Sequence, residues 1–315
     1  MKKLLATLIA LTLVAGFAAC AATPAAPAAT DAPVVEATEA PVVEATEAPV
    51  EAVVFDKDIV VVSREDGSGT RGAFIELMGV EQKDADGKKV DYTTLDAEIV
   101  NGTSVVLQTV AGNDAAIGYI SLGSLNDTVK ALQIDGADAT VANIKNGTYK
   151  VARPFNIATQ AEISEAAQAF IDFILSAEGQ AVVQENKYIA SVDNAPAFAG
   201  STVAGKVVVA GSSSVTPVME KLKEAYMAIN PNAVIEIQLS DSSAGVKMAI
   251  EGNCDIGMAS RELKDSEIAA GVTPTVIAID GIAIISNLGN PIVGLSAEQV
   301  RQIYVGELTN WAAIK

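Results

Sequence analysis

The 315-residue chain carries 39 acidic against 21 basic residues, a formal charge of −18 that excludes a surface built to neutralise a nucleic-acid backbone, because such a surface needs clustered Lys and Arg. It contains no histidine, which removes His-based acid/base chemistry, Ser-His-Asp triads and His-ligated metal sites together. Half of the residues are apolar but only 4% are aromatic, so the core must be built from Ala, Val, Ile and Leu, a composition suited to α/β layers.

In chain order, Met1-Lys2-Lys3, an apolar stretch from Leu4 to Phe17 and Ala18-Ala19-Cys20 read as the charged, apolar and small-residue regions of a secretory signal. The apolar run is short for a membrane helix. The segment resembles a bacterial lipoprotein signal, in which Cys20 becomes the lipidated first residue of the mature chain; Phe17 stands where that family usually has Leu. An ordinary secretory signal with a coincidental cysteine is the alternative. From Ala21 to Val54 the chain is nearly all Ala, Pro, Thr, Val and Glu, and Ala32–Glu39 is repeated as Ala40–Glu47. Regular prolines and acids at that short period predict an extended, disordered tether.

The folded part is expected from about residue 55. Short apolar runs predict buried strands at Ile59–Val62, Ala115–Ser121, Val207–Ala210, Val234–Gln238 and Val276–Ser286. Helical patterns lie at Ala73–Met78, Ser164–Leu175, Pro217–Ile229, Ser243–Glu251 and Ser296–Val305. Their alternation predicts α/β layers with largely parallel sheets. Ser191–Gly205, rich in small and turn-forming residues, reads as a loop joining two blocks. Cys254 is read as a buried small hydrophobe in a strand.

One local arrangement occurs three times. Val62-Ser63-Arg64-Glu65-Asp66-Gly67-Ser68-Gly69-Thr70-Arg71, Val209–Pro217 and Leu239–Lys247 each leave a strand through a Ser/Gly-rich turn and open a helix, with Pro217 read at the first helical position. A serine before a helix is ordinarily an N-cap. Three such turns with free N–H groups at helix N-termini could instead converge on an anion at the carboxyl ends of the strands. Arg64 could supply a charged fork to a tetrahedral oxyanion. Asp66 would suit an anion that still carries a proton, as phosphate does and sulfate does not; a surface ion pair of Arg64 with Asp66 is the other reading. The Gly-x-x-x-x-Gly-Lys-Ser/Thr pattern of nucleotide enzymes is absent at these turns.

With these turns, the stretches Ala116-Ile117-Gly118-Tyr119, Asp255–Leu263, Asp280-Gly281-Ile282-Ala283, Asn290-Pro291 and Leu308–Trp311 make residues 55–315 similar to the phosphate-binding proteins of phosphate-specific ABC transporters. In that family the Gly-Ser-Ser-like turn comes first and the Arg-x-Asp-Gly-Ser-Gly-Thr turn follows the Asn-Trp segment. Here Asn310-Trp311 lies at the end and its expected continuation begins at Asp56, so the resemblance implies a circularly permuted order with Ser191–Gly205 as the join. A truncated tandem copy or a misassembled reading frame is the alternative.

The resemblance implies a periplasmic-binding-protein-like (type II) α/β fold, with two domains closing on a hinge over an interdomain cleft. One domain would be discontinuous, 55–152 plus 286–315, and the other continuous, 153–285, with hinge crossings near Arg153-Pro154 and Ser286-Asn287. It implies phosphate contacts at Arg64, Asp66, Ser68, Gly69, Thr70, Ser213, Ser214, Thr216, Ser242 and Ser260, with Ser214 and the backbone of Thr216 favoured in the second turn. Ser260 stands where some members have an aspartate. The expected function is extracytoplasmic phosphate capture by a monomeric, lipid-anchored, non-enzymatic protein without cofactor or metal, and delivery to an ABC permease driven by a cytoplasmic ATPase. A surface lipoprotein that senses phosphate or adheres to a partner without transport is the other class.

Overall fold

The computed structural model describes residues 55–314, so the signal sequence, Cys20 and the tether expected at 21–54 lie outside the described residues. The main strands are β1 (Val60–Arg64), β2 (Glu98–Val100), β3 (Ala116–Ser121), β4 (Ala152–Gln160), β5 (Gly205–Ser212), β6 (Ala233–Ser240), β7 (Ile256–Ala259) and β8 (Val272–Asn287). The main helices are α1 (Gly69–Leu77), α2 (Thr103–Ala111), α3 (Glu165–Leu175), α4 (Ala177–Glu185), α5 (Thr216–Ile229), α6 (Ser242–Ile250) and α7 (Ala297–Tyr304). Hydroxyl caps start several of them: Ser164 accepts from Ala167 N, Ser176 from Gly179 N, and Ser296 forms a capping box with Gln299.

These strands lie in one ten-stranded sheet whose main path runs β6-β5-β7-β4-β8-β3-β1-β2. At its two ends the pairing is parallel, β5 with β6 and β7 and β1 with β2 and β3, and the inner strands are continuous apolar runs because helices cover both faces. In the middle, β4 and β8 pair antiparallel with each other and with their neighbours. A Cβ at Gly245 of α6 would collide with the backbone of β5 at Ala210 and Gly211, so only glycine lets this helix lie so close to the sheet.

The apolar side chains divide into two sets of cores. One draws on residues between Val61 and Val151 together with Ile282 to Trp311; the other draws only on residues between Phe155 and Val272–Ala278. Two α/β domains therefore share the sheet, and the chain passes between them along β4 and β8. On β8 the core changes between Ala278 and Ile282, several residues before the Ser286-Asn287 crossing expected from sequence, because Ile282–Ile285 already pack beside β3. At the crossing, Arg153 Nη2 donates to Asp280 Oδ2 over 3.1 Å with both side chains buried, an ion pair that ties the two shared strands together.

The two ends of the described chain meet. Ile59 N donates to Thr309 O (2.8 Å), Trp311 N donates to Lys57 O (3.0 Å), and Asp58 bridges Asn310. Trp311 closes this junction: its ring is buried in the first domain and its Nε1 donates to Ala115 O at 2.8 Å. The segment 191–204 has no regular structure, as expected, but it is packed, with Phe198 edge-on to Phe173 at 5.4 Å. Cys254 is buried and free as read, but it precedes β7 in a bend instead of lying in a strand.

Trp311 is the sole tryptophan of the chain, so its emission reports on the first domain. Trp311→Ala removes a large buried ring and leaves the Ala115 carbonyl without that donor; it is expected to cost about 3–5 kcal/mol in urea denaturation followed by circular dichroism. A loss below about 1 kcal/mol would contradict the closing role given to this residue.

Candidate functional site

Four strand-to-helix turns point their helix N-termini at one place between the two domains. The first starts at Arg64, where β1 ends, and enters α1 through Ser68, whose hydroxyl accepts from Arg71 N at 3.3 Å as an N-cap. Gly69 follows, and a Cβ there would collide with the hydroxyls of Ser242 and Ser260 across the cleft. Glycine at 69 is thus what lets the two domains approach. The second turn, Ser212–Val215, leaves β5 for α5 and places Pro217 one residue further into the helix than sequence suggested. The third leaves β6 for α6, capped by Asp241, which accepts from Ala244 N at 2.8 Å.

The fourth turn was not found by sequence reasoning. Gly102, at φ 82°, caps α2 without a side-chain bond and puts Thr103 first in the helix. Thr103 Oγ1 lies 3.3 Å from the hydroxyls of both Ser213 and Ser214. Asn101-Gly102-Thr103-Ser104 ahead of an apolar helix was the available signal; without a serine-rich run it did not stand out.

Side chains from these turns form a buried ring of hydroxyls. Thr70 Oγ1 is 2.7 Å from Ser214 Oγ and 3.5 Å from Ser260 Oγ, while Ser242 Oγ is 3.4 Å from Ser260 Oγ and accepts from Ser260 N at 3.1 Å. Because Thr70 and Thr103 belong to one domain and Ser213, Ser214, Ser242 and Ser260 to the other, most of these bonds cross the cleft. Ser243 N also donates to Gly67 O across it, at 3.2 Å.

Arg64 enters the ring as its positive charge. The residue is 1% exposed. Its Nε and Nη2 donate to the two oxygens of Glu65 at 2.7 and 2.6 Å, and Nη2 also donates to Ser213 Oγ at 3.1 Å. Nη1 is buried and has no hydrogen-bond partner among the described residues, so one donor edge of the fork remains for an anion. Burial would raise the Glu65 carboxyl, but the bonds and charge of Arg64 hold it below the ordinary carboxylate range. Behind Arg64 stands Tyr119, whose hydroxyl accepts from Arg64 N at 3.2 Å and bonds Ser63 Oγ at 2.8 Å. Burial pushes the Tyr119 phenol up to about 12, and its ring stacks on Phe74 at 3.9 Å, which fixes the end of β1.

Of the residues singled out from sequence, Arg64, Thr70, Ser213, Ser214, Ser242 and Ser260 come together, with Gly69 beneath them and Ser68 as the cap. Two are placed otherwise. The Thr216 hydroxyl turns back to donate to Ser212 O at 3.0 Å and takes no part in the ring. Asp66 lies apart from the ring: its side chain is 98% exposed and pairs with Arg71 Nη1 at 3.0 Å. The reason is competition, since Glu65 already occupies Arg64, and Arg71, itself held by Asp91 at 2.8 Å, offers Asp66 a solvated partner. Outside the ring lies a chamber of about 380 Å³ at the cleft mouth, lined by Glu65, Gly67, Asn101, Gly102 and Leu239–Asp241. A more voluminous concavity, about 840 Å³ between α3 and residues 192–203, holds none of these groups.

Chemically, the ring offers convergent hydroxyls, four helix N-termini and one guanidinium edge, and no nucleophile–base pair. That is an oxyanion receptor. The family described as "PBP superfamily domain" matches residues 51–178 and 196–313. The phosphate-binding protein PstS 2 of Streptococcus agalactiae is 56% identical over 255 residues, covering 81% of this chain and 87% of its own. PstS 2 of Streptococcus pneumoniae is 46% identical over 257 residues, covering 82% and 88%. The crystal structure of a phosphate-binding protein of a phosphate ABC transporter from Streptococcus pneumoniae superposes with a TM-score of 0.66 at 46% identity, covering 82% of this chain and all of that one. The chain belongs to the PBP superfamily and, within it, to the family of these phosphate-binding proteins.

Proposed function

We propose that this protein captures inorganic phosphate between its two domains and delivers it to an ABC permease powered by a cytoplasmic ATPase. It is a binding protein, not an enzyme. The observation that carries the reading is the free Nη1 edge of the buried Arg64, facing hydroxyls contributed by both domains. A tetrahedral oxyanion satisfies that edge, and its oxygens can replace the hydroxyl–hydroxyl bonds that now join the domains. Capture would therefore couple ligand binding to opening and closing along β4 and β8. The work is done outside the cytoplasm, as a monomer held to the membrane through lipid on Cys20.

We assign the domains as 55–152 with the C-terminal segment, and a continuous domain from 153, with the second crossing near 279–281 where the core changes. The order of the blocks is read as a circular permutation joined at Ser191–Gly205. The pairing of Lys57 and Ile59 with Trp311 and Thr309 supports it.

Titration calorimetry tests the binding. Phosphate is expected to bind, and Arg64→Lys, which keeps a charge but loses the fork, is expected to weaken binding about 10–100-fold, the worth of one charge-assisted hydrogen bond. Unchanged affinity in a folded variant would remove Arg64 from the site. Glu65 adds a pH dependence. Its carboxyl is held below the ordinary value of 4.5, so the stability from the Arg64 pair is fully present above that value and is lost as pH falls through the lowered one. Glu65→Gln is thus expected to be less stable than the wild type near neutral pH, with the gap closing in acid denaturation curves at the lowest pH. A gap that widens on acidification would show the wrong sign.

The permutation has its own test. A gene that fuses residue 314 to residue 56 through a short linker and opens the chain within 191–205 is expected to give a protein of the same circular dichroism and of phosphate affinity within about threefold, because the new bond joins ends that already meet. Failure of that chain to fold would count against the permuted reading.

A further inference from the structure

We infer that the buried Arg153–Asp280 pair at the domain crossing is a proton-operated control on the anion site. With Asp280 ionised the pair is neutral and the anion meets the charge of Arg64 alone; with Asp280 protonated the charge of Arg153 is uncovered nearby and binding tightens. The inference rests on the proposed reading that the ring takes phosphate. Its basis is where the pair lies. β1 and β3 run parallel with Val61 beside Ile117, so β3 ends on the side of the sheet where β1 delivers Arg64. Gly123, just past β3, donates its N–H to Asp280 Oδ1 at 3.4 Å. Burial lowers Arg153, Asp280 opposes this and the charge of Arg64 adds to it, so the two guanidinium groups are within electrostatic reach of each other.

The pair is poorly compensated. Arg153 is 4% and Asp280 1% exposed, one hydrogen bond of 3.1 Å joins their side chains, and Arg153 Nε and Nη1 have no hydrogen-bond partner among the described residues. The other titratable groups described around Asp280 add no charge to it. Burial raises the phenols of Tyr149 and Tyr188, so both stay neutral, and Tyr149 spends its hydroxyl on Ile282 O at 2.7 Å. The helix Val141–Lys145 brings Ile144 against Gly281 and leaves Lys145 exposed; Lys187, beside Tyr188, is exposed as well. Burial therefore pushes the Asp280 carboxyl up to about 6, with Arg153 and the Gly123 N–H pulling against it. A carboxyl raised above its unfolded value of about 3.9 costs the fold stability as pH rises through that interval, and it gains its proton without unfolding. Linkage fixes the rest. An anion beside Arg64 repels an ionised Asp280 and so raises its affinity for a proton, and the proton raises the affinity for the anion by the same factor.

The test is calorimetric titration of the full chain and of Asp280→Asn, which fixes the neutral form, with sodium phosphate at constant ionic strength. Asp280→Asn is expected to bind about 3–10-fold more tightly than the wild type at about pH 7.5 and equally at about pH 5, the size of effect that unit charges roughly 10 Å apart exert near a protein surface. The titration of phosphate itself cancels in the ratio of the two proteins. Phosphate binding by the wild type with Asp280→Asn equal or weaker at about pH 7.5, or with a gap that does not close on acidification, would overturn the inference and leave the phosphate reading standing. Binding by neither protein would overturn both. Should Asp280→Asn fail to fold, carbon-13 carboxyl NMR of the wild type labelled at Asp decides: one resonance is expected to titrate near pH 6, well above ordinary aspartates, and to move to higher pH by about half a unit or more with phosphate. No such resonance, or one that phosphate leaves in place, would overturn the inference.

Discussion

A guanidinium withdrawn from water costs several kcal/mol unless its charge is paired and its donors are used, and Arg64 is withdrawn almost completely at the end of β1. Glu65 meets the charge and two donor positions, Ser213 shares one of them from the other domain, and Tyr119 holds the backbone from behind. What remains is one edge aimed where four helices begin. The arrangement makes an acidic protein locally attractive to an anion: the chain as a whole repels it, so binding must come from short-range donors in a dry cleft.

The fold serves that point in two ways. Parallel strands at each end of the sheet send their helices off the same edge, so turns far apart in sequence, such as those at 64–70 and 240–242, end in contact. The strands that join the domains are few and antiparallel, tied near one end of their ladder by the buried Arg153–Asp280 pair. The hydroxyl bonds across the cleft are the interactions that a rotation about β4 and β8 would make or break.

Much of this was legible in the sequence because it rests on local patterns. The apolar runs at 59–62, 207–210 and 234–238 became strands, and Ser164 and Ser296 cap the helices they were read to open. The three serine-rich turns stood out for the same reason. What did not show was whatever three-dimensional competition decides. Asp66 lies two residues from Arg64, but its neighbour Glu65 and the more distant Arg71 divide the charges differently. Thr103 joins the ring only because α2 packs beside β3 and presents a glycine-capped end. The strand β4 was hidden by Arg153-Pro154, which read as a hinge and lie near the start of a strand that the two domains share.

The most direct test of the central claim is a crystal structure of the protein with phosphate bound. The account predicts phosphate oxygens within hydrogen-bonding distance of Arg64 Nη1 and of hydroxyls from both domains, among them Thr70, Ser214, Ser242 and Thr103, with Asp66 still on Arg71 at the surface. Phosphate seated elsewhere, or Asp66 swung inward as a ligand, would contradict it.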